Sequence, residues 1–169
     1  MQSLDSSIIL DASAFYAGIP FLGSSKCYTT NDVFDEIKHI KKSISAIETL
    51  IETGNLRIKE PSLRSMDMAK KIAQKSGDLP NMSKADLSVL ALALELKDSN
   101  PLLVTDDYAI ANVAKLSNIK VSYVMTEGIR KVGKWLRYCP ACHKSYSENE
   151  KICSICGNKL RRKLRYKKH

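Results

Sequence analysis

The chain has 169 residues, 44% of them apolar and 27% charged, with a net charge of +9. That is room for one medium α/β domain and an appendage, and no apolar run approaches the ~20 residues of a membrane span. The first residues carry no basic segment ahead of an apolar one, so the expectation is a cytoplasmic protein with no membrane partner.

The first 127 residues alternate strand and helix. Residues 7–10 form an apolar run that ends at Asp11, residues 26–29 are a second candidate strand, and residues 102–105 and 119–125 are two more, rich in Val, Ile and Leu. Thr30 can cap a helix running through residue 42, a second helix covers 43–53 and stops at Gly54, and Ser62 caps a third that ends near Gly77. Ser83 opens the most apolar helix, greasy on nearly every side across 87–96, which predicts a buried central position. A further helix covers 108–116. Such alternation predicts an α/β fold with a mainly parallel sheet flanked by helices. Residues 76–83, with Gly77, Asp78 and Pro80, read as a mobile loop, and the lone Cys27 reads as core filler.

The last quarter is different chemistry. Cys139-Pro140-Ala141-Cys142 and Cys153-Ser154-Ile155-Cys156 stand ten residues apart. Each pair is a thiolate bite, and two bites close a four-sulfur structural Zn²⁺ site with no open position for catalysis. Residues 1–127 hold 14 Lys+Arg against 16 Asp+Glu, whereas residues 128–169 hold 13 against 2, so the positive excess rides on the cysteine-bearing part. Aromatics are interleaved with these cations, the pattern by which single-stranded nucleic acid is stacked and neutralised. Candidate RNA contacts are Arg130, Lys131, Lys134, Trp135, Arg137, Tyr138, Arg161, Arg162, Lys163 and Arg165. The expected division is an α/β domain over 1–127, a linker over 128–137, a zinc ribbon over 138–159 and a basic tail over 160–169, disordered until it meets a partner.

Acidic side chains recur at strand ends and helix starts, where open α/β sheets bind ligands. Asp11 follows the first strand, Asp106 and Asp107 follow the strand at 102–105, and Asp86 lies in the first turn of the apolar helix. Glu36 shares a helix with Asp32 and Asp35; of the three it lies nearest the stripe formed by Val33, Ile37 and Ile40. Carboxylates gathered in one cleft are costly unless a cation sits among them, and hard oxygen donors suit Mg²⁺ or Mn²⁺ acting on a phosphodiester. Each has a structural role open to it as well. Asp86 completes a capping box with Ser83, and Asp106 or Asp107 can cap the helix at 108–116.

The segments Ile9-Leu10-Asp11-Ala12-Ser13-Ala14-Phe15, Glu36 after Tyr28-Thr29-Thr30, Ser83-Lys84-Ala85-Asp86-Leu87 and Val104-Thr105-Asp106-Asp107-Tyr108 resemble, in order, the acidic motifs of the PIN-domain ribonucleases. With a four-cysteine ribbon behind them, the whole resembles the branch of that family that matures the 3′ end of small-subunit rRNA during ribosome biogenesis. The resemblance implies a metal-dependent endoribonuclease acting on single-stranded RNA in the pre-ribosomal small subunit, among its assembly factors. It makes Asp11, Glu36 and Asp86 metal-site carboxylates and, through a Thr-x-Asp pattern at Thr105, favours Asp107 over Asp106. Where a Gly often follows the second cysteine, this chain has His143, read as a surface residue. Two rivals stand beside this reading: a non-catalytic zinc-ribbon RNA-binding assembly factor, and a toxin-type PIN ribonuclease acting on tRNA or mRNA.

Overall fold

Three-residue strands form the frame. The computed structural model describes residues 7–18, 20, 27–39, 44–128, 132–147 and 149–166. β1 (Ile8–Leu10), β2 (Cys27–Thr29), β3 (Leu56–Ile58), β4 (Leu102–Val104) and β5 (Lys120–Ser122) make one sheet in the order β3-β2-β1-β4-β5. Every neighbouring pair is parallel, with Ile9 opposite both Tyr28 and Leu103. Parallel strands need helical crossovers. Those described are α1 (Ala12–Tyr16), α2 (Asn31–Ile37), α3 (Ile44–Glu52), α4 (Leu63–Ser76), α5 (Lys84–Glu95) and α6 (Tyr108–Leu116).

The helices begin and end where the local chemistry asks. Thr30 and Ser62 accept from the backbone N–H groups of Val33 and Ser65, and Gly77 closes α4 in the left-handed conformation at φ 80°. α5 buries Ala85 and the unbroken run 87–93 against the sheet and its neighbours, as its all-round apolarity predicts. Cys27 is buried in the same core.

Several expectations shift. β3 is a strand the sequence pattern does not signal, because Leu-Arg-Ile at a sheet edge is too short to show alternation. The strand expected over 119–125 stops at Ser122, since the N–H groups of Val124, Met125 and Thr126 turn to the Asp106 carboxylate. α2 ends at Ile37; residues 40–43, like Lys26 ahead of β2, lie outside the described residues. The stretch read as a mobile loop is packed, with Ser76, Gly77 and Asp78 buried and a 3₁₀ turn over Leu79–Asn81.

The larger correction concerns the basic region. β6 (Gly133–Tyr138) occupies half of the expected linker and β8 (Arg161–Tyr166) most of the expected disordered tail; with β7 (Ser145–Tyr146) they form an antiparallel sheet in the order β7-β6-β8. Six cross-strand pairs from Gly133↔Tyr166 to Tyr138↔Arg161 zip the two basic segments together. Residues 167–169 lie outside the described residues.

Candidate active site and metal centre

The strand order reverses between β1 and β4, and a crevice opens at the carboxyl ends of two strands whose crossovers leave in opposite directions. Asp11 stands there. Its N–H donates to Val104 O at 3.1 Å, and its Oδ2 accepts from Thr105 Oγ1 at 2.8 Å and Ser13 Oγ at 3.1 Å. The same two hydroxyls accept in turn: Thr105 Oγ1 from Asp107 N–H at 3.0 Å and Ser13 Oγ from Asp106 N–H at 3.1 Å. The ends of β1 and β4 are thereby one hydrogen-bonded unit centred on a carboxylate that is only 5% exposed. Burial holds the Asp11 carboxyl above the usual range, the donors from Thr105, Ala12 and Ser13 pull it back in part, and the charge of Asp86 adds to the rise.

Glu36 is brought to this edge by buried hydroxyls. Thr29 Oγ1 donates to Leu10 O at 3.0 Å, fixing the end of β2 to the end of β1. Thr30 caps α2 and lies 2.6 Å from Ser88 Oγ, pinning the start of α2 to α5. The Glu36 carboxyl is pushed up by burial first and then by the charges of Asp86, Asp11 and Asp32. Asp86 is a helix cap whose charge also reaches the other carboxylates. Its Oδ2 accepts from Ser83 N–H at 2.6 Å in a complete capping box, and its charge is felt by Asp11 and Glu36. Asp32 pairs with Lys84 at 2.7 Å, and Asp35 is a solvated partner of Lys38.

The adjacent pair Asp106 and Asp107 divides cleanly. Asp106 spends both oxygens on the 124–126 loop, accepting from Val124 N–H, Thr126 N–H and Thr126 Oγ1 on one and from Met125 N–H on the other. Burial raises its carboxyl, but those donors outweigh it and leave it below the usual range. Asp107 commits only Oδ1, accepting from Ile110 N–H at 2.9 Å as the cap of α6. Asp106 is thus a loop anchor. Asp11, Glu36 and Asp86 share a field; among the described residues, however, the only group of three or more His, Cys, Asp or Glu side chains drawn together tightly enough to hold an ion is the four cysteines.

Those Sγ atoms of Cys139, Cys142, Cys153 and Cys156 all lie within 4.8 Å of one another, with no disulfide among them. Donors surround the sulfurs. Cys142 N–H reaches Cys139 Sγ at 3.5 Å, Asn158 Nδ2 reaches Cys156 Sγ at 3.3 Å, and Tyr146 OH lies 3.0 Å from Cys153 Sγ. The Tyr146 hydroxyl leads in pulling the Cys153 thiol down to about 6. The donor set and its closeness fit a tetrahedral zinc. His143 is exposed, off the cluster, and holds a φ of 59°, which accounts for the glycine common at such a position.

Pleating sorts the basic candidates by face. Lys134, Leu136 and Tyr138 stand opposite Arg165, Lys163 and Arg161 on one face of the ribbon sheet. On that face Lys163 lies 4.8 Å from the Tyr138 ring centroid. Trp135, Arg137, Arg162 and Leu164 are on the other, from which Trp135 and Arg162 reach the α/β domain. Trp135 has a job the sequence does not reveal. Its Nε1–H donates to Asp78 Oδ1 at 2.9 Å, and Arg162 covers its ring at 4.6 Å while donating to Gly77 O at 2.8 Å. Asn112 Nδ2 donates to the other Asp78 oxygen at 2.7 Å and to Gly133 O at 2.9 Å, while Gly133 N–H donates back to Asn112 Oδ1 at 3.0 Å. Asp78 and Asn112 are fully buried. A side chain at Gly77 would meet the Trp135 Cβ at 2.6 Å, so the seam closes only over glycine. Asn112, a polar residue within the otherwise apolar stretch 109–114 of α6, was the available signal. Arg130 and Lys131 lie outside the described residues.

Residues 8–96 match a family model described as the PIN domain of ribonuclease. The chain is 40% identical over 159 residues to Endoribonuclease Nob1 of Methanocaldococcus jannaschii, a match covering 92% of this chain and 77% of that protein. It is 36% identical over 156 residues to Endoribonuclease Nob1 of Pyrococcus abyssi, covering 91% of each. Ribonuclease VapC1 of Thermoplasma acidophilum is 36% identical over 107 residues, covering 63% of this chain and 54% of that protein. Fold, acidic edge and family model together define a PIN-domain ribonuclease, a class whose chemistry uses a divalent metal ion. Because the Nob1 matches run across both the nuclease domain and the ribbon, the chain belongs to the Nob1 endoribonuclease family rather than to the toxin type. No helix among the described residues is long and apolar enough to cross a membrane.

Proposed function

We propose that this chain hydrolyses a phosphodiester bond in single-stranded RNA at the 3′ end of the small-subunit rRNA precursor, acting in the cytoplasm on the pre-ribosomal small subunit in the company of its assembly factors. The observation that carries the reading is the meeting of the Asp11, Glu36 and Asp86 fields at the crevice where strand order reverses, in a chain of the Nob1 family.

Asp11, Glu36, Asp86 and the uncommitted oxygen of Asp107 are the donors that would hold Mg²⁺ or Mn²⁺. Carboxylates that share a field without closing on one another suit an ion that keeps several of its waters. When bound, such an ion supplies an acidified water and offsets charge developing on the phosphoryl oxygens. The protein's part is positional: Thr105 and Ser13 hold Asp11 still and tie it to the backbone of Asp107 and Asp106. The four cysteines would hold a structural Zn²⁺ that keeps β6, β7 and β8 in register. The outward face with Lys134, Tyr138, Arg161, Lys163 and Arg165 would grip phosphates and stack bases, and Arg130 and Lys131 extend the same charge.

The test is cleavage of an RNA spanning the 3′ end of small-subunit rRNA by purified full chain with Mn²⁺ or Mg²⁺. Asp11→Asn is expected to lower the cleavage rate at least ~100-fold, the scale on which losing one organising group of a phosphoryl-transfer site is felt. Undiminished cutting by that variant, with contaminating nuclease excluded, defeats the mechanism.

A further inference from the structure

Where the ribbon sheet meets the nuclease domain, the facing surfaces leave a groove of about 640 Å³ bounded by α4, α6 and the Gly133/Tyr166 end of β6 and β8. Its size lies in the ~300–1,000 Å³ range of small-ligand sites. The floor is apolar, from the half-buried side chains of Ile72 and Leu116. Tyr166, 51% exposed, stands at one side. Three exposed cations line the rim: Lys75 from the nuclease domain, Lys134 and Arg165 from the ribbon. Gly133 lets β6 lie close to β8 at this end, because a Cβ there would come within 2.9 Å of Arg165 O.

The lining differs from the outward ribbon face in one respect that decides its ligand. That face offers cations on a flat sheet, sufficient for a backbone passing over it; the groove adds a recess with apolar walls and an aromatic edge, which a phosphate alone does not need. A flat apolar ring carrying an anion uses every part of it. We propose that the groove seats one unstacked nucleotide of the bound RNA strand, its base between Tyr166 and the Ile72–Leu116 floor and its phosphate on Lys75, Lys134 and Arg165.

The location fits a strand on its way to the acidic edge. Lys134 and Arg165 belong both to the outward face and to the rim, so a strand crossing that face arrives at the groove without a gap in charge. The helix whose last residue, Leu116, lines the groove begins at Tyr108, directly after the Asp107 cap, so α6 runs from the groove to the acidic edge. The seat would fix the register between the gripped segment and the bond to be cut. The inference rests on the reading of this chain as an RNA-cutting enzyme. Lys75 is its sharpest element, because it belongs to the nuclease domain and yet would contact the strand held by the ribbon.

The experiment is binding of a fluorescein-labelled single-stranded RNA to zinc-loaded full chain carrying Asp11→Asn, followed by fluorescence anisotropy across a salt series. Using that variant keeps affinity readable whether or not the wild-type chain cuts, so failure of the nuclease reading shows only in the cleavage assay. Tyr166→Ala is expected to weaken binding about 5-fold or more, the effect of removing one stacking partner. Lys75→Ala, at an exposed position that leaves the fold intact, is expected to weaken it severalfold and to reduce the slope of log affinity against log salt by about 0.7, the share of one phosphate contact on a single strand. RNAs carrying 4-thiouridine at successive positions should crosslink to the groove from one position above all. Affinities of both variants within twofold of the parent, at equal zinc content and melting temperature, overturn the proposal, as do crosslinks spread evenly along the strand.

Discussion

Asp11 is held by hydroxyl donors yet lies under so little solvent that its ionised form is disfavoured in the fold. The consequence for stability has a definite sign. A carboxyl whose folded pKa stands above the unfolded 3.8 contributes stability that is complete below pH 3.8 and lost as the pH rises through the folded value. Asparagine at this position stays neutral throughout. In neutral buffer free of Mg²⁺ and Mn²⁺, Asp11→Asn is therefore expected to melt at or above the wild-type temperature, with the difference vanishing near pH 4. A variant that melts lower at neutral pH would mean that the hydrogen bonds from Thr105 and Ser13 outweigh the desolvation. At this scale the sequence was informative about position and ambiguous about role. It places five carboxylates at one edge, but only the resemblance of Thr105-Asp106-Asp107 to a Thr-x-Asp pattern favours Asp107, because the donors that engage Asp106 come from 18–20 residues further along the chain.

Among the elements, α5 was the most legible and the ribbon strands the least. A helix apolar on every side has one place to go, and its capping box can be read directly from Ser83 and Asp86. Because the same box aims the Asp86 charge at the crevice, Ser83→Ala should reach beyond stability: a loss of about 0.5–2 kcal/mol by denaturant titration, together with weaker Mn²⁺ binding as Asp86 is released. An unchanged Mn²⁺ affinity would separate the cap from the site. β6 and β8 were hidden by composition. A segment with five cations in seven residues from Lys159 to Arg165 reads as solvated tail, and only Leu164 and Tyr166 hint at alternation. What makes it a strand is a partner some thirty residues away, information a local pattern does not carry.

For the molecule as a whole, the decisive feature is a buried polar seam rather than an apolar one. Asp78 accepts from Trp135 and Asn112, Asn112 clasps Gly133, and Arg162 reaches Gly77, so ribbon and nuclease domain are joined by directional bonds that admit one seating. Removing the acceptor leaves two buried N–H donors unpaired, each costing about 1–3 kcal/mol. Asp78→Ala is expected to speed amide hydrogen exchange across β6 and β8 while leaving β1 and β4 protected. Uniform acceleration through both sheets would show instead that the two modules unfold as one. The seating also explains why division of the chain at residue 128 is too simple: residues 133–138 are strand, seam and candidate RNA surface at once.

Trp135 is the chain's single tryptophan, and its indole is committed wholly to that seam. Its emission is therefore a built-in gauge of docking rather than of core folding. A fluorescence-monitored melt of this protein reports the moment the ribbon lets go, and only a second probe, such as far-ultraviolet dichroism, follows the sheet that carries the carboxylates.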